Sequence, residues 1–133
     1  MANPLLLDIV TFLVANGAAT ADGKDIFRDF TPEHPDSLVV LQEYKGDPVS
    51  LQDAAVHRSV QISARNKDAN TARQKALGIF KAFQEAQGED ARVQLTPTRW
   101  GQVYLRQPPF MLKRDEDNRT YYAFNIGITT TID

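Results

Sequence analysis

The sequence contains no cysteine, which excludes disulfide frameworks, thiol nucleophiles and thiolate zinc sites together. That absence is compatible with a reducing cytoplasm. Histidine occurs only as His34, in a proline-bounded loop, and His57, at the entrance to a strand, and neither lies near a glycine-flanked serine. Nucleophilic catalysis by a base-activated hydroxyl therefore has little to build on. Basic charge is not in excess either: 15 Lys and Arg against 17 Asp and Glu leave a net charge of −2, so there is no bulk attraction to phosphate backbones. A membrane-length apolar run is missing. Leu5–Val14 is half of the roughly 20 residues a span needs, Asp8 interrupts it, and no Lys or Arg precedes Lys24 to give the basic start of a secretory signal. The expectation is a soluble protein that stays where it is made. Phosphate-cradling loops are absent, since Gly23-Lys24 lacks both the upstream glycine and the following Ser or Thr. Asp115, Asp117 and Asn118 imitate the opening of a calcium loop, but Thr120 and Ile126 stand where the glycine and the terminal glutamate belong. No pair of carboxylates is marked out for acid–base work. No enzyme, no metal and no cofactor is expected.

What is present is an ordinary globular composition, 42% hydrophobic and 24% charged over 133 residues. That length fits one domain, 1–133, with a real core and little room for a large internal cavity. Its organising stretch is Val56–Gly88. In Ser59–Arg65, Val60, Ile62 and Ala64 alternate with Ser59, Gln61, Ser63 and Arg65, the period of a strand with one wet face. The period then changes to three and four, and Ala69, Ala72, Ala76, Ile79, Phe80 and Phe83 form the apolar stripe of an amphipathic helix. Asp68 or Asn70 can cap its first turn, and Gly88 stands where a left-handed cap would end it. Gly78 sits opposite the stripe, and Arg73, Lys75, Lys81 and Glu85 form a solvated face.

Asn3-Pro4 opens a first helix over 4–16 and Gly17 closes it. Its apolar residues cover most of its circumference, so it needs two coverings. Either the helix is sandwiched within its own domain, or one flank, carrying Leu6 and Val10, meets another copy. Ile26–Phe30, between the glycine-bearing segment 18–24 and the proline-bearing Thr31–Ser37, is at most a short edge strand. Leu38–Tyr44 reads as a strand ending at the turn Lys45-Gly46-Asp47, after which Pro48–Val56 crosses to the central strand. Arg92–Thr96 is a short strand, followed by Pro97 and a turn over Thr98–Gly101. Val103–Leu105 is extended, and Pro108-Pro109 breaks or bends it. Asp115–Asn118 is a hairpin tip, and Tyr121–Ile132 is the longest strand. Together these make an α+β fold, a single mainly antiparallel sheet with two helices packed on one face. The small or polar residues Gln61, Ser63, Arg65, Asn125, Thr129 and Thr131 line its other, wet or interfacial, face.

Two blocks carry a resemblance. Ser59-Val60-Gln61-Ile62-Ser63-Ala64-Arg65, running into the alanine-bearing helix, is similar to the central segment of the minor capsid or tail-terminator proteins of long-tailed bacteriophages. Pro108–Arg119, with its Arg114-Asp115 hairpin, and Tyr122-Ala123-Phe124-Asn125-Ile126 resemble the end of the same family. The resemblance implies a structural, non-enzymatic protein forming a hexameric ring on the head-proximal end of the tail tube. Such a ring ends tail growth and provides the head–tail joining surface. It implies a homo-oligomer as partner, together with the tail tube protein and a head-completion or connector protein. It implies no membrane and no specific nucleic-acid site, although DNA can pass through a ring. The place is the virion at the tail–head junction, and the host cytoplasm before assembly. Heterologous rings need two complementary patches. The candidates are Leu6 and Val10 on the first helix, Arg65 on the open sheet face, and Arg114, Asp115, Asp117 and Asn118 in the hairpin. The alternative is a small non-enzymatic binding module, for a protein or weakly for a nucleic-acid strand along Arg58, Arg65 and Arg106.

Overall fold

The computed structural model describes residues 4–44 and 55–131. The expected Asn3 cap, the Lys45-Gly46-Asp47 turn, most of the crossing after Pro48, and Ile132 lie outside the described residues. The first helix, α1, spans Pro4–Ala15. It ends as glycine dictates: Gly17 takes a φ of 77°, and the amides of Gly17 and Ala18 reach back to the carbonyls of Val14 and Leu13 at 3.1 and 2.9 Å. This is the double-bonded left-handed stop that spares the last turn its orphan carbonyls. The strands β1 (Ile26–Arg28), β2 (Leu38–Glu43) and β3 (Ala55–Asn66) follow.

Helix α2 spans Ala69–Ala86, and the side chain of Asp68 accepts the amide of Thr71 as its cap. Ala72, Ala76, Ile79 and Phe83 are its buried residues, the stripe that the period of the sequence marks. Gly88 is not the left-handed cap: its φ is −99°, and the left-handed residues are Asp90 and Ala91, in the 3-10 turn that follows. The helix is closed earlier by Gln87, whose amide bonds the carbonyl of Phe83 while its side chain donates to the carbonyl of Val103 at 2.6 Å.

The rest is β4 (Arg92–Thr96), β5 (Arg99–Leu105), β6 (Phe110–Arg114) and β7 (Thr120–Thr131). Arg99–Gly101 belong to a strand, not a turn, so the reversal after β4 is confined to Pro97-Thr98. A β-carbon at Gly101 inside that strand would meet the side chain of Ile128 at 3.1 Å, so a larger residue there needs Ile128 to shift.

Among the described residues, the strands form one sheet ordered β1-β2-β3-β7-β5-β4, with β6 also on β7. β1 runs parallel to β2, and each of the other pairs is antiparallel. One edge of β7 is held by β3 along its whole length; the other is shared end to end by β6, against Thr120–Ala123, and β5, against Ile126–Thr129. Alternate strand residues, among them Val39, Leu41, Val60, Ile62, Phe124, Ile126 and Ile128, join residues of both helices in one core cluster. Each such side chain contributes about 1.5–3 kcal/mol by leaving water. Phe12 of α1 stacks on Phe83 of α2 at 4.8 Å, and α1 also touches β1, β2 and β4. The chain itself thus supplies both coverings that α1 needs.

Candidate functional site

The opposite set of strand residues forms the sheet's other face. Its centre is the polar row of Gln42, Gln61 and Asn125, which lines a shallow groove with Tyr44. Around this row stand exposed aromatics: Tyr44, Tyr104 and Trp100, the last carrying the guanidinium of Arg92 at 5.0 Å from its ring centre. Arg106 lies across Gly127, where a β-carbon would meet its guanidinium at 2.8 Å. His57 shares a 2.6 Å hydrogen bond with the hydroxyl of Thr129 on the neighbouring strand.

At the β7-start end this face is not open. Arg65 is 2% exposed, and all five of its N–H donors are taken. Nε donates to the carbonyl of Asp36 at 3.1 Å. Nη1 donates to the carbonyl of Pro32 at 2.9 Å and to the hydroxyl of Tyr121 at 3.2 Å. Nη2 donates to the carbonyls of Glu33 and Pro35. The segment Thr31–Ser37, with its cis His34–Pro35 bond, is therefore strapped over the end of the sheet. A second buried arginine completes the strap. Arg119, 6% exposed, donates to the carbonyl of Glu33 and to the carboxylates of Asp115 at 2.8 Å, Asp36 at 3.3 Å and Asp117 at 3.4 Å.

The expected hairpin tip is present. The amide of Asp115 bonds the carbonyl of Arg119, the amide of Asn118 bonds the carbonyl of Asp115, and Asn118 takes a φ of 59°. Burial works to raise the Asp115 carboxyl pKa. The amide and guanidinium of Arg119 and the amide of Asp117 outweigh it and hold the pKa below its ordinary value. Burial likewise opposes the charge of Arg119, and Asp115 first, then Asp36 and Asp117, more than restore it. Loop and hairpin are one cross-linked tip, from which Glu33, His34, Glu116 and Arg114 face solvent.

The sequence-derived site residues therefore divide. Leu6 and Val10 are 0% and 4% exposed inside the core cluster, so the flank of α1 that carries them is covered by the chain's own strands and α2. On α1 it is Leu7, 40% exposed, that faces out. Arg65 is on the expected face but beneath the strap, and Ser63 and Tyr121 are buried with it. Arg114, Asp115, Asp117 and Asn118 gather at the tip, as expected of a hairpin; Arg114, Asp117 and Asn118 are exposed, and Asp115 is half-buried. A path for a nucleic-acid strand along Arg58, Arg65 and Arg106 has little free basic surface: Arg58 is held by both carboxylate oxygens of Glu43 at 2.6 Å, and Arg65 is under the strap. Arg119 and the all-exposed β6 escaped the reading, the first because it follows the hairpin signal, the second because Phe-Met-Leu-Lys-Arg has no alternation to mark a strand.

A cleft of about 250 Å³ lies between α2 and β2, lined mainly by apolar atoms, with Asp25 and Lys75 among its residues. The carboxylate of Asp25 is already taken by the amides of Thr20 and Ala21, which hold its pKa down against the effect of burial.

Exposed polar and aromatic side chains thus lie on a sheet face and at a cross-linked tip. The chain belongs to the bacteriophage tail terminator proteins: the family model described as "Bacteriophage tail terminator protein" matches residues 13–132. It is a structural family, and membership places the protein among the parts of a phage tail and of the virion. Comparison with curated proteins gives no match. Among the described residues no helix is long and apolar enough to cross a membrane.

Proposed function

We propose that this protein caps the head-proximal end of the tail tube as a closed ring of identical subunits, six in number. The ring stops tube growth and offers the surface that the head connector joins. The observation that carries this reading is the family match over 13–132. The whole chain, 1–133, acts as a single tail-terminator domain, with both helices on one face of a mainly antiparallel sheet and the other face, outside its strapped end, free for contacts. The polar row, its aromatic rim and the strapped tip support it, because Tyr, Trp and Arg on a rigid frame are what protein–protein contacts draw on. Arg114, Asp117 and Asn118 remain docking candidates, presented by a tip that Arg65, Asp115 and Arg119 hold in place. The tail tube protein and the head connector are the partners, the tail–head junction is the place of action, and the protein waits in the host cytoplasm until tubes are complete. The test is to add the purified protein to growing tail tubes and follow their length by electron microscopy. Elongation should stop, with one ring on one end of each tube. Continued elongation with no ring bound rejects the proposal.

A further inference from the structure

Two free edges of the sheet, β1 and β6, match one another, β4 being a third. Beyond β7, β4 flanks only β5, so no strand of the described residues lies outside β6. All five residues of β6 are exposed, including Phe110 at 36%, Met111 at 57% and Leu112 at 38%. Three consecutive apolar side chains on an open edge are what a protein that works alone avoids. At the other edge, β1 pairs with Val39–Leu41 of β2, level with β6. One cross-strand row, Phe27, Val40, Ser63, Ala123 and Phe110, joins them. The row ends in phenylalanine at both edges and on the same face. At the β1 end Phe27 meets Phe30 edge-on at 5.7 Å, and Phe30 is 61% exposed.

Direction agrees. Following the pairings across the sheet, β1 runs antiparallel to β6. A second copy displaced sideways without being turned over therefore brings its β1 alongside β6 in the antiparallel sense, with like faces on the same side. The carbonyl of Asp25 and the amide of Asp29 are bonded to β2. The alternate residues Ile26 and Arg28 thus turn their backbone groups outward. Ile26 is bridged to Asp22 and its carbonyl takes the amide of Gly23, which leaves Arg28 to offer the edge, opposite Pro109, whose carbonyl can accept from it.

We propose that β6 is a docking strand for the β1 edge of a second copy of this chain, added head to tail so that Phe110 faces Phe27 of its neighbour. The contact is heterologous, which is the kind that closes into a ring. It rests on the ring reading above and gives that ring its seam.

The chain has no cysteine of its own, so disulfide trapping is clean. Directly opposed strand residues lie within disulfide reach. Under mild oxidation the double variant Phe27→Cys/Phe110→Cys should give a ladder of linked multimers. Each single variant should stay unlinked, and a mixture of the two singles should stop at dimers. Because Phe27 is buried, a second variant guards against misfolding: Met111→Asp, at an exposed position, should weaken self-association at least about tenfold, as loss of a buried apolar contact at an interface does, while leaving the melting temperature unchanged. Phe110→Cys linking to itself as readily as the double variant links, or Met111→Asp associating like the parent, overturns the proposal. If rings are seen but neither result is obtained, only this seam is wrong. If the parent forms rings neither in solution nor on tube ends, the ring reading and the seam fall together.

Discussion

Arg65 spends four of its five N–H donors on a segment some thirty residues earlier in the chain and the fifth on the hydroxyl of Tyr121. A lysine there keeps the charge but offers three donors from a single point instead of a planar fork of five. Arg65→Lys should therefore leave carbonyls of the 32–36 strap unpaired and cost roughly 2–4 kcal/mol, a few unmade partly buried hydrogen bonds. Urea unfolding measures this directly, and an unchanged midpoint would show that the strap stabilises nothing. Asp115 gives the pH counterpart. Its folded pKa lies below the ordinary 3.8, so the folded chain binds the proton less readily than the unfolded one. The stabilisation it contributes is complete above about pH 4 and is lost as pH falls through the lower folded value. Asp115→Asn should destabilise the protein at pH 7 and flatten the acid limb of its stability curve. A variant as acid-sensitive as the parent would exclude Asp115 as a source of that limb.

At the scale of elements, the helices and the long strands were legible because each has a period and an end signal. α2 keeps its three-and-four stripe, Asp68 caps it, and Gly17 stops α1. Three features were not legible, each for a physical reason. Strand alternation puts Arg65 on the polar face but says nothing about Thr31–Ser37 folding over it. The excess apolar surface of α1 marks a need for two coverings without saying that α2 and β1, β2 and β4 meet it, which is why Leu6 and Val10 are core residues. β6 is exposed on every residue and so has no buried face to impose a pattern. Within α2, Gly78 has open space where a β-carbon would stand, and no left-handed φ requires it. Gly78→Ala should raise stability by about 1 kcal/mol through helix propensity, an increase in melting temperature of roughly 3–5 °C for a chain of this size. A fall would mean that glycine serves the free subunit in a way its surroundings do not show.

For the whole molecule, the working parts are distributed over a sheet face, two stepped edges and one strapped tip. That distribution suits the proposed ring subunit, with identical neighbours on both sides and different proteins above and below. Of this, the hairpin tip and the polar face could be read from residue pattern, and the family from the two blocks that resemble tail terminators. The matching of the edges could not, because it depends on the register of β1, β2, β3, β7 and β6 together, which no local pattern records. The central claim, that this protein ends tail growth, is tested most directly by the distribution of tail lengths in lysates of the phage with the protein removed, measured by electron microscopy. Tails of irregular or excessive length, unjoined to filled heads, are the predicted result. Tails of normal length joined to heads in infectious particles would contradict it.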